Sequence, residues 1–191
     1  ILSNLGNLKE AEIYLRKAIE LKPNLFQAHL NLGTILSNLG NLKEAEIYLR
    51  KAIELKPDLA EGYSNLGSIL KNDGKSKEAE ILYRKAIEIN PKFAEAHYNL
   101  GNLLNDNGRL EEAEVSTRNA IKLKPDFFQA HLNLGAILKD LGKYQEAELS
   151  ALKAVELNPN FFQAHLNLGS ILQNLGKLEE ASISTRKAIE I

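Results

Sequence analysis

A period of 34 residues runs through the chain and constrains its fold more than any other feature. One glycine series has this spacing, at Gly6, Gly40, Gly74, Gly108, Gly142 and Gly176. All five prolines share it, at Pro23, Pro57, Pro91, Pro125 and Pro159. A fixed period of this size is the signature of a repeat array, in which each unit packs on its neighbours. We therefore expect a single solenoid over 1–191, with full repeats at 26–59, 60–93, 94–127 and 128–161 and partial repeats at 1–25 and 162–191.

Each repeat has the pattern of two amphipathic helices. In the repeat 26–59, apolar residues at helical spacing run from Ala28 to Leu39, and a second stripe runs from Leu42 to Ile53. The glycine that follows the first stripe suits the left-handed backbone that often ends a helix, and a proline stops the second helix. The pattern predicts an all-α fold of antiparallel helix pairs.

Two local features of the repeat lead to further expectations. Gly33 and Ala45 are small, and we expect their positions to be where the paired helices approach most closely. A large side chain there, as in Gly101→Leu, should overpack at a cost of ~1–3 kcal/mol. Asp58 and Glu61 have the spacing of a capping box, which predicts a side-chain cap at the start of the next first helix.

The repeat resembles the tetratricopeptide repeat, on Leu32, Gly33, Ala45, Ala52 and Pro57 and their equivalents in the later repeats. The resemblance implies a right-handed superhelical solenoid whose first helices line a concave groove. It also implies a groove that holds peptides or protein partners, without catalytic chemistry. One aromatic position of the second helix is occupied by other residues in most repeats, and we expect looser packing there in the later ones. The residues are Leu49, Tyr83, Thr117, Ala151 and Thr185.

The composition argues against several classes of function. The chain has 24 basic and 25 acidic residues and a net charge of −1, whereas proteins that bind nucleic acid usually carry a basic excess. It has no cysteine, which fits a reducing cytoplasm and excludes disulfides and thiolate metal sites. No apolar run approaches the ~20 residues that span a bilayer. We find no phosphate-binding loop or catalytic triad spacing, and we predict a cytoplasmic non-enzyme without cofactors and without nucleic-acid or membrane partners.

Four histidines take the place of an early aromatic residue of the first helix. They are His29, His97, His131 and His165. Stacked helices lie ~8–10 Å apart, too far for equivalent imidazoles to share a zinc ion with bonds of ~2 Å. We expect packed imidazoles and no metal site.

An asparagine recurs in every first helix. The series is Asn31, Asn65, Asn99, Asn133 and Asn167. The resemblance places this position in the groove, where a carboxamide can pair with the backbone of an extended peptide whatever its side chains. The alternative is that each asparagine bonds the neighbouring helix, and one side chain can do both. Helical spacing adds other groove candidates, among them Tyr98, Asn102, Lys71, Asp106, Leu132, Ala136 and Lys139.

The leading prediction is a non-catalytic protein-interaction scaffold that binds an extended segment in the groove. The basic clamp with which some members of the family hold a peptide carboxylate has no counterpart here, so a carboxylate tail is not the expected ligand. A first alternative is a substrate-recruiting arm, since the array is similar to those of O-linked N-acetylglucosamine transferases. A second alternative is end-to-end self-association, because both ends fall within a repeat and leave apolar residues such as Leu178 and Ile189 uncovered.

Overall fold

The computed structural model describes residues 2–191, with side chains from residue 6 onward, and this part of the chain contains helices and no strand. The helices are α1 (Leu2–Leu21), α2 (Phe26–Asn38), α3 (Leu42–Leu55), α4 (Ala60–Asn72), α5 (Ser76–Ile89), α6 (Ala94–Asp106), α7 (Leu110–Leu123), α8 (Phe128–Asp140), α9 (Tyr144–Leu157), α10 (Phe162–Asn174) and α11 (Leu178–Glu190). The predicted all-α solenoid of helix pairs is confirmed. The chain divides into two compact units, Ile1–Ala96 and His97–Ile191, which are described separately.

The first helix of each pair ends as the glycine pattern predicts. Gly40 has a φ of 82° and Gly142 a φ of 74°, the left-handed region that other residues avoid. In the first repeat, the amide of Gly40 donates to the carbonyl of Ser37 (3.0 Å) and the amide of Asn41 to that of Leu36 (2.8 Å). These two bonds form a Schellman motif, which satisfies the last carbonyls of the helix and turns the chain into the second helix.

The expected capping boxes are wrong. Helix α4 begins one residue later than the Asp58 cap requires, so that Leu59 is the N-cap residue and no side chain caps the helix. Leu25, Phe127 and Phe161 hold the same position before α2, α8 and α10. These first helices therefore begin after an apolar residue, without a side-chain cap.

The first partial repeat also differs from expectation. The pattern places a turn at Gly6, but α1 continues through it from Leu2 to Leu21. The positive φ angles of the described glycines occur at the later members of the series and not at Gly6. A glycine also adopts helical backbone angles, and a continuous helix satisfies the backbone hydrogen bonds of this segment.

The core of each unit lies between paired helices. In the first unit, Leu32, Leu36 and Leu49 are fully buried between α2 and α3, and Tyr83 is 1% exposed between α4 and α5. In the second unit, Leu138 of α8 and Ile171 of α10 pack with Ala147 and Ala151 of α9. A run of such shared interfaces is what holds a repeat array together.

The small residues lie where the helices come closest, as expected. A Cβ atom built on Gly33 would lie 2.7 Å from Cγ of Leu49 and 3.1 Å from the carbonyl oxygen of Ala45. On Gly101 it would lie 2.5 Å from Oγ1 of Thr117. The position that is usually aromatic in the second helix is therefore the one that faces this glycine.

The second helices carry an exposed aliphatic residue in every repeat. The series is Ile13 (65% exposed), Ile47 (66%), Ile81 (67%), Val115 (62%), Leu149 (69%) and Ile183 (68%). None of the helices described between residues 2 and 191 is long and apolar enough to cross a membrane.

Candidate functional site

A cleft between first helices of the second unit brings several predicted site residues together. It has a volume of about 380 Å³ and is called the α8–α10 cleft below. Its lining consists of Leu132, Asn133, Ala136 and Lys139 from α8 and Gln163, Leu166, Asn167 and Ser170 from α10. The lining contains both polar and apolar groups, which suits a ligand that carries both.

The asparagines of the cleft also bond the preceding first helix. Nδ2 of Asn167 donates to the backbone carbonyl of Leu132 (3.2 Å), and Nδ2 of Asn133 donates to Oδ1 of Asn102. Both bonds link residues one repeat apart, which is the structural alternative raised by the sequence. The bond of Asn167 uses one of the two hydrogens of its amide nitrogen, and the Oδ1 of the same side chain can accept a hydrogen bond from a ligand.

The same arrangement occurs within the first unit. Nδ2 of Asn65 on α4 donates to Oγ1 of Thr34 on α2 (2.9 Å). Asn31 is exposed and accepts a hydrogen bond from Gln27, one turn earlier on α2 (3.0 Å). Gln27 therefore pairs along the helix surface instead of capping it. Lys71 lies near the end of α4, half-buried, two turns beyond Ser64.

The predicted residues on α6 are distributed over its surface. The ring of Tyr98 packs against that of Phe127, with centroids 4.8 Å apart and the planes tilted by 41°. Asn99 and Asn102 are half-buried, and Asp106 is exposed at the end of the helix. Tyr98 thus has a packing role, whereas Asn102 anchors Asn133.

Sequence reasoning missed three residues of the cleft, Gln163, Leu166 and Ser170. Leu166 is 37% exposed, and Ser170 is half-buried beside it. They stand one period after Leu132 and Ala136, which helical spacing does single out. Extending the same spacing into the last partial repeat would have found them.

The histidines have a structural role that the sequence did not show. Nε2 of His29 lies 2.7 Å from the carbonyl oxygen of Pro23. The equivalent distance is 2.9 Å between His131 and Pro125, and 2.8 Å between His165 and Pro159. Each imidazole therefore ties the first helix to the proline turn before it. The signal was the constant six-residue spacing from proline to histidine. Within the described part of the chain, no three His, Asp or Glu side chains could hold a metal ion together.

Charged groups on the second helices form ion pairs between repeats. In the second unit, Glu114 of α7 accepts hydrogen bonds from Arg118 (2.9 Å) and from Lys143 before α9 (2.7 Å), and Arg118 also donates to Glu146 of α9 (2.5 Å). Burial favours the neutral form of Glu114, but the bonds from Lys143 and Arg118 outweigh it and lower the pKa of this carboxyl. Glu114 and Glu146 likewise raise the pKa of Arg118 against the effect of its burial. These ion pairs join α7 to α9. They lie on second helices, whereas the α8–α10 cleft is formed by first helices.

Sequence models described as tetratricopeptide repeat match residues 1–25, 26–59, 60–93, 82–115, 128–161 and 150–181, and one described as TPR repeat matches 101–142. The chain belongs to the tetratricopeptide repeat family. No curated protein sequence matches it significantly.

Solved structures of this family have the same fold. YrrB, described as a TPR protein with an unusual peptide-binding site, is 25% identical, with a TM-score of 0.74 over 92% of this chain and 91% of YrrB. PilF of Pseudomonas aeruginosa is 26% identical, with a TM-score of 0.80 over 86% of this chain and 75% of its own. MamA of Desulfovibrio magneticus RS-1, at 21% identity, has a TM-score of 0.76 over 86% of this chain and 93% of its own.

Proposed function

We propose that this tetratricopeptide repeat protein is an interaction scaffold that binds an extended segment of another protein on its first helices. The observation that carries the proposal is the α8–α10 cleft, where Asn133, Asn167 and Lys139 line one cavity with Leu132 and Leu166. The family supports the role of a protein-interaction scaffold, and the peptide-binding site described for YrrB supports a peptide as the ligand.

The lining of the cleft has the groups that an extended peptide needs. Backbone amides require hydrogen-bond partners wherever water is excluded, and the Oδ1 of Asn167 can accept one from a peptide N–H. Leu132 and Leu166 offer apolar contact to a side chain. Lys139, with 29% of its side chain exposed, adds a positive charge at the end of the cleft, where its Nζ lies 3.9 Å from Oδ1 of Asp140. The proposed ligand is therefore an extended segment with an apolar residue and an acidic neighbour.

Selection from a displayed library of random linear peptides would test this proposal, followed by fluorescence polarisation with the selected peptide. Leu166→Arg puts a long charged side chain into the cleft and should weaken binding at least tenfold. Leu166 is a cleaner probe than Asn167, because Asn167→Ala would also remove the bond to the carbonyl of Leu132. A tenfold loss corresponds to about 1.4 kcal/mol.

Val115→Arg provides the matched control. Val115 is 62% exposed on α7, a second helix, and does not line the cleft. It should bind the peptide like the unchanged protein. Equal loss in both variants, or no loss with Leu166→Arg in a chain that keeps its helical circular dichroism, would contradict the proposal.

The proposal assigns no catalytic role to the residues of this chain, and it keeps the cytoplasmic location as a prediction. Self-association is a second candidate, favoured by one observation. Leu178 and Ile189 of α11 are 68% and 80% exposed and line the same surface cavity, and contiguous exposed apolar residues favour a protein contact more than single ones do.

A further inference from the structure

A second cavity lies on the other side of α10, between α9, α10 and α11. Its volume is about 430 Å³, and its lining includes Leu152, Val155 and Ile183 on the outer side and His165 and Ser184 on the inner side. His165 and Ser184 are 8% and 7% exposed, whereas Leu152 and Ile183 are 47% and 68% exposed. The cavity is therefore a largely apolar space with a small polar inner end, and the side chains of Glu148 and Glu180 also line it.

The same space in the first unit is filled by side chains of the chain itself. Residues at the same position of the repeat are equivalent, so that Ser184 corresponds to Tyr48, Leu152 to Arg16 and His165 to His29. The ring of Tyr48 lies over that of His29, with centroids 5.8 Å apart. Nη1 of Arg16 donates to the hydroxyl of Tyr48 (3.1 Å), and its guanidinium lies 5.7 Å from the ring centroid. An aromatic ring and a cation thus complete the site between α1, α2 and α3.

Two substitutions coincide at this site and leave the cavity open. Ser184 has no aromatic ring, unlike the equivalent Tyr48, and Leu152 has no guanidinium group, unlike the equivalent Arg16. Ser150, the equivalent serine on α9, is accompanied by Arg118, which reaches across from α7 to Glu146 on α9 (2.5 Å). Of the six residues at the arginine position, Leu152 is the single exception: Arg16, Arg50, Arg84, Arg118, Leu152 and Arg186.

The inner end of the cavity offers hydrogen-bond acceptors. Nε2 of His165 lies 2.8 Å from the carbonyl oxygen of Pro159, which can only accept, so this nitrogen carries the proton. In the neutral ring the lone pair is then on Nδ1. The hydroxyl of Ser184 donates to the backbone carbonyl of His165 (3.0 Å), which leaves its oxygen as a second acceptor. A ligand that fits must bring an O–H or N–H donor on an apolar body.

We propose that this cavity binds a phenol ring, in the place that Tyr48 fills in the first unit. The apolar walls take the ring. Its hydroxyl points inward, opposite to that of Tyr48, which bonds Arg16 on the outer side, and donates to Nδ1 of His165 or to the oxygen of Ser184. Lys187 also lines the cavity and provides a cation that suits the negative face of an aromatic ring. The ring can come from a free phenol or from a tyrosine of a peptide, and this inference does not depend on the peptide-binding proposal.

Titration of the whole chain with 4-methylphenol, followed by methyl and amide NMR, tests the inference. The signals of Leu152, Ile183 and Ser184 should shift in a saturable way. Toluene, which has the same ring without the hydroxyl, should bind about tenfold more weakly, because it lacks one hydrogen bond. In the variant Leu152→Arg/Ser184→Tyr, which restores the pair found in the first unit, the affinity for 4-methylphenol should fall at least tenfold.

The reverse exchange gives a matched gain of binding. Arg16→Leu/Tyr48→Ser should open a second site, so that the signals of Ile47 and Leu32 also respond to 4-methylphenol. A short acetylated peptide with a central tyrosine identifies the source: tighter binding than 4-methylphenol indicates a tyrosine side chain, and weaker binding indicates a free phenol. The inference is overturned if the unchanged protein shows no saturable shift at Leu152, Ile183 and Ser184, or if the filled variant shows the same shift.

Discussion

At the scale of single residues, the distance between paired helices depends on one glycine in each first helix. A Cβ atom added to Gly101 would lie 2.5 Å from Oγ1 of Thr117. This hydroxyl donates a hydrogen bond to the carbonyl of Ala113 (2.8 Å). In Gly135 the nearest atoms are Nδ2 of Asn167 at 3.2 Å and the amide nitrogen of Ala151 at 3.4 Å. The two glycines occupy the same place in their repeats but tolerate a methyl group to different degrees.

We predict that Gly101→Ala lowers stability by ~1–2 kcal/mol, because overpacking exceeds the gain in helix propensity. Gly135→Ala should cost less than Gly101→Ala, since alanine is the better helix former and the nearest atom, Nδ2 of Asn167 at 3.2 Å, is the end of a side chain that needs to move only slightly. The midpoint of urea unfolding, followed by circular dichroism, measures both. The double variant Gly101→Ala/Thr117→Ala recreates the Gly135 surroundings and should recover most of the loss, and equal midpoints for the two single variants would refute the explanation.

The sequence predicted these glycines better than it predicted the polar residues around the site. A glycine at the point where two helices approach closely recurs at a fixed position among the apolar residues of the helix. The sequence alone shows that recurrence. The bonds of Asn133 and Asn167 depend on the residue that stands opposite one repeat earlier, Asn102 in one case and a backbone carbonyl in the other. Helical spacing does not contain that information, so the choice between groove and neighbouring helix stayed open.

At the scale of helices, the second helices of neighbouring repeats are joined by charge as well as by packing. Glu114 of α7 has 12% of its side chain exposed, so its pairs with Arg118 and Lys143 are screened less than the exposed pairs of the surface. Glu112, paired with Arg109, is 53% exposed and serves as a comparison.

Glu114→Gln should destabilise the protein by about 1 kcal/mol at pH 7, since both cations lose a charged partner. The folded state lowers the pKa of Glu114. Its stabilising effect is therefore complete above the unfolded pKa of ~4.3 and is lost as the pH falls through the folded pKa. Urea unfolding from pH 7 down to pH 4 and below should show the difference from the unchanged protein shrinking with acidity. Glu112→Gln should cost less than about 0.5 kcal/mol throughout. A constant difference for Glu114→Gln at all pH values would argue against the ion pair.

The helices themselves followed from the sequence, apart from their first turns. The period, the glycine stops and the proline stops located every later element, because each is a local backbone requirement. The start of α4 could not be predicted from the sequence, since Leu59 takes the N-cap position in place of Asp58. The course of α1 through Gly6 did not follow either, since the glycine pattern predicts a turn there and the helix continues.

At the scale of the whole molecule, a net charge of −1 gives little repulsion between copies. We expect the protein to self-associate through Leu178 and Ile189, so that the mass from static light scattering rises with concentration. Leu178→Lys/Ile189→Lys should keep the mass at that of a monomer.

The control for this prediction is Ile47→Lys/Ile81→Lys. Ile47 and Ile81 are 66% and 67% exposed on second helices of the first unit. This variant has the same added charge and should associate like the unchanged protein. A monomer at every concentration without any substitution would exclude self-association, and equal suppression by both variants would show that added charge, not α11, is responsible.

The side-chain hydrogen bonds between helices described above join residues no more than 35 positions apart. Proteins with such local contacts close only short loops and fold fast for their size. During synthesis, at ~5–20 residues per second, each helix pair waits only a few seconds for the next pair that covers it. The growing chain can therefore fold repeat by repeat as it leaves the ribosome, with little more than one repeat of apolar surface uncovered at a time.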